Sequence, residues 1–148
     1  MKGATLLELL LSIFVVAVIA GILVSAFGVF RESNDLRVAQ NTIVGMLKDA
    51  RSRAIASESN SVYGVHFETA KSVLFKGAAY NVSDPANETY TLSPSLQISN
   101  INLAGGTSDA VFSRLQGTTT SFGTITLSSK NAPSKTRVII IYQTGLAQ

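Results

Sequence analysis

The sequence predicts an α+β fold, in which a long amino-terminal helix packs its second half on an antiparallel β-sheet or small β-sandwich head. Three observations carry this expectation. Residues 9–30 hold no charged side chain and are mostly Leu, Ile, Val, Ala and Phe. Apolar residues then recur in steps of three or four at Leu36, Ala39, Ile43, Leu47, Ala50 and Ala54. Beyond residue 60 the pattern shifts towards period two, and residues 61–148 contain 23 Ser plus Thr but only 10 charged residues.

The composition narrows the function classes. A chain of 148 residues is long enough for one domain of average size. Its 46% apolar content is too high for a disordered chain. Cysteine is absent and there is one histidine, which removes disulfides, thiolate nucleophiles and multi-histidine metal centres together. A net charge of +3 does not mark a nucleic-acid binder. No cofactor is expected.

The charge-free run of 22 residues, Leu9 to Phe30, would span about 33 Å as a helix, close to the hydrocarbon thickness of a bilayer. It is too long for the core of an ordinary secretory signal, and its leader is only Met1, Lys2 and Gly3. Glu8 stands among Leu6, Leu7, Leu9 and Leu10. A carboxylate there either reaches the lipid headgroup layer or pairs with a positive group on a partner chain, because an unpaired charge in hydrocarbon costs several kcal/mol.

The segment KGATLLELLLSIFVVAVIAGILV resembles the amino-terminal signature of type IV prepilins and type II secretion pseudopilins. The resemblance implies that residues 1–3 are a leader, cut after Gly3 by a prepilin peptidase. Ala4 would be the new, methylated amino terminus, and Glu8 falls fifth in the mature chain. Ala4 stands where the family more often has Phe. By the same resemblance, residues 4–30 form a transmembrane and assembly helix, and residues 31–148 form the globular head. Glu8 would then meet the amino terminus of a neighbouring subunit.

Within the head a helix is expected over 31–59 and a β domain over 61–148. Arg37, Asn41, Lys48, Arg51 and Ser52 cover much of the helix's other side, and Asp49 precedes Arg53 by one turn, a supportive order. The polar run SESNS closes the helical pattern. Tyr63, Val65 and Phe67 share one strand face, and Glu68 to Lys71 can turn the chain into SVLFK. Further strand candidates are TYTL, LQISNI, AVFSRL, GTITLS and TRVIIIY, separated by Gly-, Pro- and Asn-rich stretches. The run Val138 to Ile141 is apolar at every position, which predicts a central strand covered on both faces.

Three head segments, MLKDARSRAIAS, VFSRLQGTTTSFGTITLSS and TRVIIIYQTG, resemble the H-type pseudopilins and FimT-like minor pilins. FimT-like members linked to DNA uptake carry basic residues after the final Gly. This chain ends TGLAQ, with no basic residue beyond Arg137, so nucleic acid is not an expected partner. Asp109 is the last acidic residue, leaving few carboxylates for a calcium loop near the carboxyl end. His66, Glu68 and Asp109 show no spacing that argues for catalysis, and no enzymatic activity is expected.

The function implied is a structural pseudopilin or minor pilin of a type II secretion or type IV pilus machine. Its partners would be prepilin peptidase, other pilin or pseudopilin subunits, an inner-membrane assembly platform and, before assembly, the lipid bilayer. The chain would cross the inner membrane once with its head outside the cytoplasm, and later enter a periplasmic pseudopilus or surface pilus. The competing expectation is a bitopic membrane protein that never polymerises and displays a ligand- or DNA-binding β domain.

Overall fold

The computed structural model describes residues 5–148, leaving aside the side chains of residues 22–29. The helix α1 runs Leu6–Ile55. It is followed by β1 (Tyr63–Glu68), β2 (Lys71–Lys76), β3 (Glu88–Thr91), β4 (Leu96–Leu103), β5 (Asp109–Phe112), β6 (Gly123–Ser129) and β7 (Thr136–Ile141). The chain divides into two compact units, Met1–Asn34 and Asp35–Gln148.

In the first unit, α1 starts on a capped turn. The Thr5 side-chain oxygen accepts a hydrogen bond from the Glu8 backbone N–H at 3.3 Å, satisfying one of the donors that a helix start leaves open. Thr5 and Glu8 thus occupy the two key positions of a capping box, with the acid in the first turn, where the helix dipole favours negative charge.

The second unit is a helix and two antiparallel sheets around one core. The first sheet has the order β3-β2-β1-β5 and the second β4-β6-β7. The helical stripe expected from the spacing is the one that is buried: Leu36, Ala39, Ile43, Leu47, Ala50 and Ala54 join the core cluster. Tyr63, Val65 and Phe67 from β1 face this stripe, with Ala110 and Phe112 from β5 and Ile125 and Leu127 from β6. Burying the Leu, Ile, Val and Phe side chains among them stabilises a fold by about 1.5–3 kcal/mol each.

The helix ends at Ile55, and Ser57, Ser59 and Asn60 all take left-handed backbone conformations. This is the SESNS segment, whose short polar side chains tolerate that region better than bulky ones. The β1–β2 hairpin closes through the Glu68–Lys71 pair, as the sequence suggested. All seven candidate strands correspond to β1–β7.

One expectation is corrected. Val138–Ile141 lies in β7, an edge strand of its sheet. Ile139 and Ile141 are buried, whereas Val138 and Ile140 keep 44% and 36% of their surface exposed. Val138 and Ile140 lie opposite Thr126 and Thr124 of β6 on the outer face. Only one face of the strand is covered by the core. The free edge is partly paired with the carboxyl tail, since Ile140 N–H donates to the Gln148 carbonyl at 2.8 Å and the reverse bond is 3.1 Å.

Candidate functional site

The sequence places its candidate residues at the amino terminus. Gly3 and Ala4 lie outside the described residues. Glu8 is in the first turn of α1 and exposed, and its carbonyl accepts a hydrogen bond from the Ser12 hydroxyl at 2.8 Å. Apart from Thr5 and Ser12, the surface around it is apolar. Leu6 and Leu7 are 78% and 76% exposed, and Leu9, Leu10, Leu11, Ile13, Phe14, Val16 and Ile19 are all open as well. A helix with apolar residues all round needs cover from lipid or from other helices.

Among the described residues no helix is long and apolar enough to cross a membrane. The expected span over 4–30 lies partly outside those residues. Its described side chains stop at Gly21 and resume at Phe30, leaving aside eight residues of the charge-free run.

In the head, register brings together groups that the sequence leaves apart. Antiparallel pairing of β1 and β5 sets His66 opposite Asp109. The His66 Nδ1 to Asp109 Oδ1 distance is 2.5 Å, and His66 Nε2 lies 3.6 Å from Glu68 Oε1. Lys71 Nζ approaches the same Glu68 oxygen at 3.1 Å. Tyr80 stacks on the imidazole with ring centroids 4.1 Å apart. The imidazole is thus held at Nδ1 and stacked on one ring face. Such an arrangement pins the loop carrying Tyr80 across the outer face of the first sheet. Among the described residues no three His, Cys, Asp or Glu side chains converge as metal ligands.

Two further clusters tie the carboxyl end of α1 to the sheets. Arg53 bridges Asp49 at 2.7 Å, the pair expected from the sequence, and Glu88 of β3 at 2.6 Å. Those two hydrogen bonds, Glu88 first, raise the arginine's pKa above its ordinary range. Nearby, Leu115 N–H donates to the Ala54 carbonyl at 3.0 Å and Arg51 Nε donates to the Gly117 carbonyl at 3.2 Å. Gly145 closes over this point with φ +79°, and a Cβ there would lie 1.8 Å from the Gly117 oxygen. Gly123, at the start of β6, meets the Asn102 carbonyl so closely that a Cβ would lie 2.0 Å from its oxygen. Gly123 and Gly145 are both in the head segments that carry the family resemblance. Their reason is close backbone approach.

Between the two sheets lies an open cavity of about 550 Å³. Val62, Ala78, Val111 and Phe112 line it together with Thr118, Thr119, Thr120 and Gln143, and no charged residue does. Sequence reasoning missed it, because it is made by register between distant segments.

Comparison with solved structures finds the minor pseudopilin EpsH from the type 2 secretion system of Vibrio cholerae, with a TM-score of 0.57 over 77% of this chain and 94% of that one. The two share a fold. At 15% identity the likeness concerns architecture: one amino-terminal helix packed on antiparallel sheets. No family model matches the chain, and no curated protein does.

Proposed function

We propose that the chain is a structural subunit, a pseudopilin or minor pilin, that assembles through its amino-terminal helix into the filament of a type II secretion or type IV pilus machine. One observation carries this reading: an all-apolar, exposed helix start with a single acid at Glu8 precedes a head whose fold is shared with a minor pseudopilin. In this reading residues 1–3 are removed after Gly3 by a prepilin peptidase, and Ala4 becomes the methylated terminus. The 4–30 segment is held in the inner membrane, head outwards, until other pilin or pseudopilin subunits and the assembly platform take it up. The likeness of the head segments to the H-type and FimT-like branch belongs to the same proposal.

Glu8 is then the register residue. In a low-dielectric bundle its carboxylate and a neighbour's terminal amine attract strongly, and removing either leaves the other buried without a partner. The capped turn adds a local role that has to be separated from this one. The cap uses the Glu8 backbone N–H and the Thr5 hydroxyl, so changing the Glu8 side chain leaves that bond in place.

Glu8→Gln and Glu8→Ala should both remain membrane-inserted and folded while incorporation into the filament, normalised to protein level, falls about tenfold or more. Thr5→Val removes the cap and should assemble like the parent. If the Glu8 variants assemble normally, the register role fails. If Thr5→Val fails as badly as they do, assembly depends on the intact first turn and the Glu8 charge is not its specific requirement. Mass spectrometry of the extracted protein tests the leader, and a chain that always retains Met1 would count against processing after Gly3.

A further inference from the structure

Val73 and Phe75 of β2 are both buried, yet neither joins the core between the helix and the sheets. Strand alternation turns them to the outer face of the first sheet, opposite His66 and Gly64 of β1. Gly64 makes room for the Phe75 ring, since a Cβ there would lie 2.8 Å from its Cζ. The cover is the strap of residues 77–87 that joins β2 to β3. Its Tyr80 lies against Phe75, with ring centroids 5.7 Å apart, and stacks on the His66 imidazole within 12° of parallel. The hydrogen bonds of Asn81, Ser83, Asp84, Ala86 and Asn87 run among themselves. Val82 is 71% exposed, so Tyr80 is the strap's grip on the sheet.

The groups around His66 read the charge on its ring differently. Asp109 of β5 accepts from Nδ1 at 2.5 Å, a bond the neutral ring keeps when its proton is on that nitrogen. Glu68 of β1 stands 3.6 Å from Nε2, too far for a hydrogen bond but inside ion-pair reach. It attracts the ring only when both nitrogens carry protons. Lys71 of β2, 3.1 Å from the same Glu68 oxygen, holds that carboxylate in place in either state. Tyr80 presents its negative π face, which binds a positive ring more tightly than a neutral one. Imidazole is the side chain that ordinarily changes charge between about pH 5 and 8.

We propose that His66 is a proton-operated latch for the 77–87 strap: the charged ring draws Tyr80 down over Val73 and Phe75, and the neutral ring lets it lift. The strap is the part that answers. Asp109, Glu68 and Lys71 sit on strands fixed in the sheet, whereas Tyr80 sits on a connection, which opens at lower cost. The sign follows from the contacts. The added hold is complete while the ring is charged and is lost as pH rises and the ring gives up its proton. Lifting uncovers two large apolar side chains side by side on the outer face, so the head would hide this patch in acid and show it in neutral solution. The inference concerns the head alone and does not depend on the role of Glu8.

The test uses the isotope-labelled full chain in detergent micelles, with a neutral gadolinium chelate as a paramagnetic probe of solvent access. Its relaxation effect on the Val73 methyl and Phe75 ring signals reports uncovering of the patch, not ring charge. That effect should grow about threefold from pH 5 to pH 8, a modest factor because partly exposed charges interact weakly. Its midpoint should coincide with that of the His66 ring signals. Leu74, which faces the main core from the same strand, should show no change. His66→Gln is neutral at every pH and should remove the dependence. Tyr80→Ala should give the high-pH effect throughout. Access to Val73 and Phe75 that does not vary with pH in the parent, or that varies equally in His66→Gln, overturns the proposal.

Discussion

Gly145 has a backbone that a side chain resists and no space for one, so Gly145→Ala should cost about 3 kcal/mol. Urea unfolding would read this as a lower midpoint at unchanged slope. Gly45 is the opposite case. It lies within α1 with open space where a Cβ would go, and Gly45→Ala should stabilise by about 1 kcal/mol in the same assay. Arg53 is intermediate. Its side chain is 26% exposed, so solvent screens its two ion pairs and Arg53→Met should cost below about 1 kcal/mol. Its raised pKa fixes the sign of any linkage: the contribution is full below the ordinary arginine range and is lost only as pH rises beyond it. This group therefore contributes no pH dependence to stability up to about pH 10.

At the scale of elements, β7 is the strand whose mutations are most informative. Ile139→Ala should cost about 2–4 kcal/mol, and Val138→Thr should stay within about 0.5 kcal/mol, both read by thermal unfolding. Equal costs at the two positions would mean that the outer face is covered after all. The strand itself was legible in the sequence, from its β-branched run and flanking turns. Its place in the sheet was not, because an all-apolar run looks the same whether it is central or at an edge. The α1 stripe was legible residue by residue, since helical spacing is local. The contact of His66 with Asp109 was not, and neither was the cavity that Val111 lines. Both depend on the pairing of β1 and β5, a long-range choice that no local pattern encodes. Glu8 stood out because a lone acid in an apolar run is visible without any fold.

For the whole molecule, every residue of the core cluster lies within Asp35–Gln148. A chain beginning at residue 35 should therefore fold, giving a circular dichroism spectrum of mixed helix and strand and one cooperative melting transition. Aggregation, or a gradual loss of signal, would show that the preceding residues complete the core.

The carboxyl end of α1 also has a mechanical meaning. Within the head the helix is fastened at its far end by the Leu115–Ala54 and Arg51–Gly117 bonds, and along its length by the buried face from Leu36 to Ala54. Tension applied along the helix axis would load these attachments in parallel, so they would have to shear together. Tension applied at Gln148 would instead open the tail's bonds to Ile140 first, one after another. The head should thus resist force strongly in one direction and yield at low force in the other, and an optical trap gripping each terminus in turn would measure the difference.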